Sequence, residues 1–164
     1  MYLIFDTETT GLPNDFNAPI TDTDNWPRVI QLAWQLHDNT GKLIEHKDFL
    51  IKPDGFNIPI ASEDIHGIST ELALEQGESI SNVIASFSET LSKAQIIVGQ
   101  NLLFDTNVLG SEFIRLKKDS PLGSYPVLDT CTEKTAQLCR LPGGRGGKFK
   151  KPTLSELHHY LFGK

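Results

Sequence analysis

Two carboxylates one residue apart, Asp6 and Glu8, close the apolar run Tyr2-Leu3-Ile4-Phe5 at the start of the chain. In an extended backbone, residues two apart share a face at about 7 Å, so both acids project together from the carboxyl end of a strand. Carboxylate oxygens suit hard divalent cations such as Mg²⁺ and Mn²⁺, which keep several waters and need only one or two protein carboxylates beside a substrate phosphate. The chemistry within reach is metal-assisted displacement at phosphorus. The plainer alternative is a solvated strand end whose Asp and Thr form a turn or cap.

A third acid, Asp105, follows a second short apolar run, Ile96-Ile97-Val98, that ends at Gly99. Asn101 is placed to cap a helix through Leu102, Leu103, Phe104, Val108, Leu109, Phe113 and Leu116. Asp105 then falls in the first helical turn, where the helix dipole alone also favours an acid. Ligands of α/β sheets bind beyond the carboxyl ends of parallel strands, and there all three acids converge. Two metal ions about 3.5–4 Å apart require several carboxylates on one surface.

The elements that position these acids follow from periodicity. The run Tyr2–Phe5 reads as a central strand buried on both faces. After Leu12, turn formers without apolar period extend to Trp26 and predict a long surface loop. Ile30, Leu32, Trp34 and Leu36 alternate with polar residues, predicting a half-buried strand, and the turn Asp38-Asn-Thr-Gly41 pairs it with an extended run over 43–51. Two short helices follow, the first broken at Gly67 and the second over 70–75. The spacing of Ile80, Val83, Ile84, Phe87 and Leu91 predicts an amphipathic helix over about 79–93. Val127-Leu128-Asp129 reads as a last strand, followed by a helix over 130–138. Thr153 and Glu156 form a capping box that opens a helix with Leu154, Leu157 and Leu161 inward. The expected fold is α/β, with a mixed five-stranded sheet containing one antiparallel strand and helices on both faces.

At 164 residues the chain forms one domain, large enough to bury about 70% of its unfolded surface without disulfides. No apolar run approaches the ~20 residues that cross a membrane, and the opening run lacks the basic flank of a signal peptide. Two cysteines, Cys131 and Cys139, lack metal-binding spacing, which suggests a reduced, cytoplasmic protein. A net charge of −6 argues against nonspecific coating of nucleic acid. Its distribution is uneven. Residues 140–151 carry Arg140, Arg145, Lys148, Lys150 and Lys151 and no acid, leaving 10 basic and 21 acidic residues, a net −11, on the rest. Such a Gly-rich basic loop can guide a phosphate chain or simply be a solvated surface loop.

Three stretches, Asp6-Thr7-Glu8-Thr9-Thr10-Gly11-Leu12, Ile65-His66-Gly67-Ile68-Ser69 and Asn101-Leu-Leu-Phe104-Asp105, together resemble the DEDD 3′–5′ exonucleases, which include the proofreading epsilon subunit of bacterial DNA polymerase III. The resemblance spans residues 1 to about 163. It implies a ribonuclease H-like three-layer fold, two divalent ions (Mg²⁺ or Mn²⁺), and removal of nucleotides from a nucleic-acid 3′ end that is single-stranded at the terminus. By the same resemblance Asp6 bridges both metals, Glu8 binds one of them and the terminal nucleotide, and Asp105 binds the other through water. Thr9, Gly11 and Leu12 grip the terminal nucleotide, with Leu12 a wedge against bases or else a core leucine. Asn101 and Phe104 match substrate-side positions, or serve as cap and core. His66 matches a position beside the nucleotide pocket, or is structural. A polymerase partner is possible.

The family's third motif, a His or Tyr base followed at five or four residues by an Asp, is not found: His158, His159 and Tyr160 have no Asp at that spacing. Asp129 matches a non-catalytic position at a strand end. The expectation is therefore a single exonuclease-type domain over 1–164 that lacks the third motif and is catalytically incomplete, with an apolar C-terminal surface open to dimerisation. Two other readings remain: a noncatalytic nucleic-acid-binding module, and a haloacid-dehalogenase-type phosphatase, whose Asp-x-Asp strand end Glu8 departs from.

Overall fold

A computed structural model describes residues 1–164. Five strands, β1 (Tyr2–Thr9), β2 (Val29–His37), β3 (Leu43–Leu50), β4 (Ile96–Gly99) and β5 (Val127–Asp129), form one sheet in the order β3-β2-β1-β4-β5. β2 runs antiparallel to both neighbours, while β1, β4 and β5 are parallel, so β2 is the one reversed strand. Six α-helices accompany the sheet: α1 (Ile60–His66), α2 (Thr70–Gln76), α3 (Ile80–Leu91), α4 (Leu102–Arg115), α5 (Glu133–Cys139) and α6 (Leu154–Phe162). No helix is long and apolar enough to cross a membrane.

The main core lies between one sheet face and helices α3 and α4. Leu3, Phe5, Leu32, Trp34 and Leu36 meet Val83, Phe87, Val108 and Leu109 there. Phe87 sits edge-on to both Phe5 and Trp34, with ring centroids 5.3 and 5.4 Å apart, a geometry aromatic quadrupoles favour. A smaller cluster of Ile30, Ile58, Ile68 and Ala73 anchors α1 and α2.

Three expectations are corrected. β1 is central but not buried on both faces: Leu3, Phe5, Thr7 and Thr9 are buried, whereas Ile4 and Asp6 are exposed. Its alternation is that of a strand with one open face. On β2, Ile30 does not share the face of Leu32, Trp34 and Leu36, because the register slips where Glu8 and Thr9 of β1 oppose Gln31 and Val29 and leave Ile30 as the extra residue. This bulge turns Val29 into the main core and sends Ile30 to the smaller cluster. On α6 only Leu157 is buried; Leu154 is 61% exposed and Leu161 is also exposed.

The loop between β1 and β2 lacks regular structure yet is held tightly. Trp26 is buried, and Asn25 Oδ1 accepts from the Asp15 N–H at 2.7 Å. Arg115 on α4 donates to the carbonyls of Thr23 and Trp26 at 2.5 and 2.7 Å. Behind it Glu112, 1% exposed, pairs with Arg28 Nε and Arg115 Nη1, both at 2.9 Å, and accepts the Val29 N–H at 3.1 Å. A buried carboxylate thus ties α4, the loop and the start of β2 into one unit. Glu112→Ala leaves two guanidinium groups and a backbone N–H without their acceptor, and should destabilise the fold by about 3–5 kcal/mol in urea unfolding; a loss under about 1 kcal/mol would show the network to be dispensable.

Candidate active site

The alternation of β1 sends Ile4, Asp6 and Glu8 to the open face and Thr7 to the core face. The bulge follows Glu8 immediately, so pairing with β2 is interrupted where the acids stand. Asp6 is exposed by area but lies on the floor of a cavity of about 650 Å³, lined also by Ile4, Gln35, Val98, Gln100, Thr130 and Leu154. Desolvation on that floor raises the Asp6 pKa, and the Thr7 backbone N–H only partly opposes it. The Glu8 carboxyl is raised too, first by burial and then by the charge of Asp6, with His66 offsetting part of the shift. Two acids that resist ionisation side by side form a site that favours a cation.

Asp105 approaches β1 from the other side. Its Oδ1 accepts the Thr7 N–H at 3.0 Å and the Thr7 hydroxyl at 2.6 Å. The residue is 4% exposed. Burial pushes its carboxyl up to about 7, against the two Thr7 hydrogen bonds, and the nearby Asp6 charge adds to the rise. The three acids thus surround the end of β1 from both faces of the sheet. No group of three or more His, Cys, Asp or Glu side chains stands close enough to cage a metal ion.

The turn that delivers Asp105 is built differently from the expectation. Asn101 does not cap α4: its side chain makes no capping bond and its backbone is left-handed, at φ 60° and ψ 40°. The cap comes from the neighbouring strand, where Asp129 accepts the N–H groups of Asn101 and Leu102, both at 2.9 Å. It also accepts the Cys131 N–H at 2.6 Å. A carboxylate at the positive end of α4 is favoured by the helix dipole as well. Gln100 joins the same corner, hydrogen-bonded to the Thr130 hydroxyl and donating to the Pro152 carbonyl at 2.9 Å.

The residues expected to hold a terminal nucleotide lie on both sides of the acids. Thr9 is buried and spent locally, its hydroxyl donating to the Gly11 carbonyl at 2.7 Å. Gly11 has φ 143°, a conformation few side chains tolerate. Leu12 is 73% exposed, which removes the core-leucine alternative. Phe104 is half-buried against the main core. His66 ends α1, and its Nδ1 accepts the Ile68 N–H at 3.0 Å. The remaining proton of a neutral ring is then on Nε2, which is buried and has no partner. A buried donor without an acceptor is uncommon and expensive. Sequence reasoning missed Thr7 and Asp129 as tethers. The signal for Thr7 was its phase, which sets a polar residue on the buried face of β1.

The paired carboxylates suit a hydrated hard cation. Asp6 and Glu8 offer oxygens on one face, while Asp105, held by Thr7 on the other side of β1, keeps its Oδ2 free of hydrogen bonds. Mg²⁺ and Mn²⁺ take few protein carboxylates and fill their shells with water and phosphate, so such a site is open by nature.

The fold is α/β, of the ribonuclease H-like class. The chain matches the exonuclease family (RNase_T) over residues 3–161 and belongs to it. Among curated relatives, "DNA polymerase III PolC-type" of Mycoplasmopsis pulmonis is 32% identical over 113 residues, 69% of this chain. The protein of the same description from Streptococcus thermophilus is 28% identical over 130 residues, 79% of this chain. The chain spans only 7% and 8% of the lengths of these relatives. Escherichia coli exonuclease I in complex with a dA16 oligonucleotide superposes with a TM-score of 0.73 at 21% identity, covering 97% of this chain and 35% of that one. The zinc-bound form of its complex with single-stranded DNA gives 0.69 at 23% identity, covering 86% and 30%.

The raised Asp105 carboxyl has a sign that can be tested. It binds its proton more tightly folded than unfolded, so in metal-free protein it removes stability as pH rises from its ordinary value of 3.8 to about 7. Asp105→Asn keeps an acceptor for Thr7 and has no such loss. Thermal melts in EDTA should show the variant gaining on the unsubstituted protein between about pH 4 and 7, by up to about 1.4 kcal/mol per pH unit; a constant difference across that range would refute the assignment.

Proposed function

We propose that this domain is a 3′–5′ exonuclease that removes nucleotides from a single-stranded DNA 3′ end by hydrolysing the terminal phosphodiester, in proofreading or repair. The supporting observation is the placement of Asp6 and Glu8, both resisting ionisation, on the open face of β1, with Asp105 locked to Thr7 behind them. The DNA and polymerase setting rests on the names of the relatives and the oligonucleotide-bound neighbour. Cytoplasmic localisation is part of the reading, since both cysteines are free thiols.

In this reading Asp6 and Glu8, with Asp105, hold two Mg²⁺ or Mn²⁺ ions, which supply charge stabilisation at the scissile phosphate and a more acidic water. Thr7 holds Asp105 in one orientation through two bonds. The Gly11 backbone and exposed Leu12 seat the last nucleotide, Leu12 against its base, with Asn101 and Phe104 on the far side of the acids. His66 Nε2–H, buried without a partner within the chain, donates to an acceptor on the bound nucleotide once binding shifts α1 to expose it.

The proton of the attacking water has no acceptor among residues 1–164 at the family's spacing. His158 packs against Phe162 on α6, with ring centroids 4.9 Å apart and the planes tilted by 49°. We therefore propose that the domain over 1–164 is catalytically incomplete, and binds and positions DNA better than it cleaves it. A missing general base lowers the rate about 10² to 10⁴-fold. The exposed Leu161 and Phe162 favour self-association through α6, which sizing chromatography would show as a dimer.

The decisive assay incubates a 3′-labelled single strand with the domain and Mn²⁺. Expected is slow release of the labelled terminal nucleotide from the strand, lost on Asp6→Asn or Glu8→Gln. His66→Ala should weaken binding about 10- to 100-fold, the worth of a hydrogen bond to a charged group. Binding without any trimming would support the noncatalytic reading. A covalent aspartyl adduct after incubation with a phosphomonoester would overturn both in favour of the phosphatase chemistry.

A further inference from the structure

The basic loop after α5 is a built structure rather than a loose tether. Lys150 N–H donates to the Leu141 carbonyl at 2.9 Å, closing the loop at its base. Gly144 packs so closely on the backbone of Lys148 and Phe149 that a Cβ there would overlap their carbonyl groups. Gly143, Gly146 and Gly147 all take positive φ, and Arg140 itself is left-handed at φ 53°. Helix ends of this shape are usually given to glycine. The fold between α5 and the returning loop leaves a concavity of about 590 Å³, lined by Gln137, Arg140, Lys148 and Phe149, with Glu133 on its wall.

Its chemistry is selective. Of the five loop cations only Lys150 is in an ion pair, with Glu156; no carboxylate pairs with Arg140, Arg145, Lys148 or Lys151. Phe149 is 44% exposed beside them. Unpaired cations next to an exposed aromatic ring are what single-stranded nucleic acid requires, one for phosphates and the other for a base face. The concavity is also tied to the acids. The loop ends at Pro152, whose carbonyl is held by Gln100, and Gln100 shares the cavity floor with Asp6. α5 leaves the carboxyl end of β5, two strands from β1 in the sheet order. Two strand spacings are roughly 10 Å and a helix of this length adds about 10 Å more. At about 3.4 Å per stacked nucleotide, that path takes roughly three to six nucleotides.

We propose that Arg140, Lys148 and Phe149 form a second subsite that holds the phosphate backbone and one base of the same single strand, several nucleotides 5′ of the end seated at Asp6 and Glu8. This rests on the exonuclease reading for its direction. The subsite sets how long a strand must be to bind well, and it confines attraction for DNA to one edge of an otherwise acidic protein.

The test measures binding of 5′-fluorescein oligothymidylates, trimer to dodecamer, to the full chain by anisotropy in Ca²⁺. Affinity should rise at least about tenfold between trimer and nonamer and then level off. Arg140→Ala with Lys148→Ala should abolish that gain, leave the trimer unchanged, and lower the salt dependence by about 1.4, the share of two phosphates on a single strand. Phe149→Ala should lose roughly 5- to 100-fold on the nonamer. Gly144→Ala keeps every charge but opens the loop, so it should lose the same gain; circular dichroism confirms that each variant is folded. A gain that survives the double substitution or Gly144→Ala overturns the subsite while leaving the exonuclease reading intact. A trimer that binds with no gain in longer strands does the same. Failure of every oligonucleotide to bind overturns both. An oligoglutamate peptide that binds the loop when the nonamer does not would make it a protein-docking patch and sink the proposal.

Discussion

The contact between Thr7 and Asp105 is the joint on which the site depends. Removing a carboxylate from water is costly unless hydrogen bonds replace the lost hydration. Here Thr7 supplies two, from backbone and hydroxyl, to a single oxygen. That leaves the other oxygen uncommitted while fixing the side chain. It also fixes α4 against the end of β1, a distance that sequence separation alone would never hold. The tight turn before α4 follows from the same constraint. Gly99 lies so close to the Phe5 carbonyl and the Leu102 side chain that a Cβ would fit only if the Leu102 side chain turned away. Asn101 takes a left-handed backbone so that Asp129 can reach the first N–H groups of the helix.

The two faces of β1 carry different burdens. Leu3 and Phe5 hold the sheet to α3 and α4 through a dense aromatic core, so the backbone that bears the acids is rigid. Ile4 and Asp6 look out over a cavity that α6 reaches with only an exposed Leu154 at its rim, and Glu8 follows them on the same face. Rigidity on one side and openness on the other is the arrangement a site needs to admit a polymer end without deforming. The bulge after Glu8 sharpens the division, since it interrupts pairing with β2 just where the chain must turn toward Gly11 and Leu12.

Much of this was legible in the residues. The order of elements, the single reversed strand, the hairpin, the capping box at Thr153, and the positions of Asp6 and Glu8 near the end of β1 and of Asp105 in the first turn of α4 all follow from periodicity and turn chemistry. What was not legible came from long-range partners. Asn101 has the composition of a cap, but an acid from β5 outcompeted it, and nothing local announces that. Ile4 belongs to an apolar run that reads as doubly buried; only packing decides that its face stays open. Leu154 and Leu161 share the helical spacing of Leu157, yet α6 has a partner for Leu157 alone.

The charge distribution ties these features together. Outside the loop over 140–151 the protein is acidic, and the acids at the site resist ionisation because of burial and, for Glu8 and Asp105, the charge of Asp6. A bare polyanion approaching that surface is repelled almost everywhere. Divalent cations bound at Asp6 and Glu8, as proposed, would reverse the sign locally, while the basic loop does so permanently at the neighbouring edge. Between them lies the floor bounded by Gln100 and Thr130, both already hydrogen-bonded within the corner and therefore fixed. Repulsion from the acidic body then works with the two attractive points, because a strand that touches neither has no reason to stay. An acidic net charge and a nucleic-acid substrate are thus compatible, provided the cations are few, localised and placed along one path.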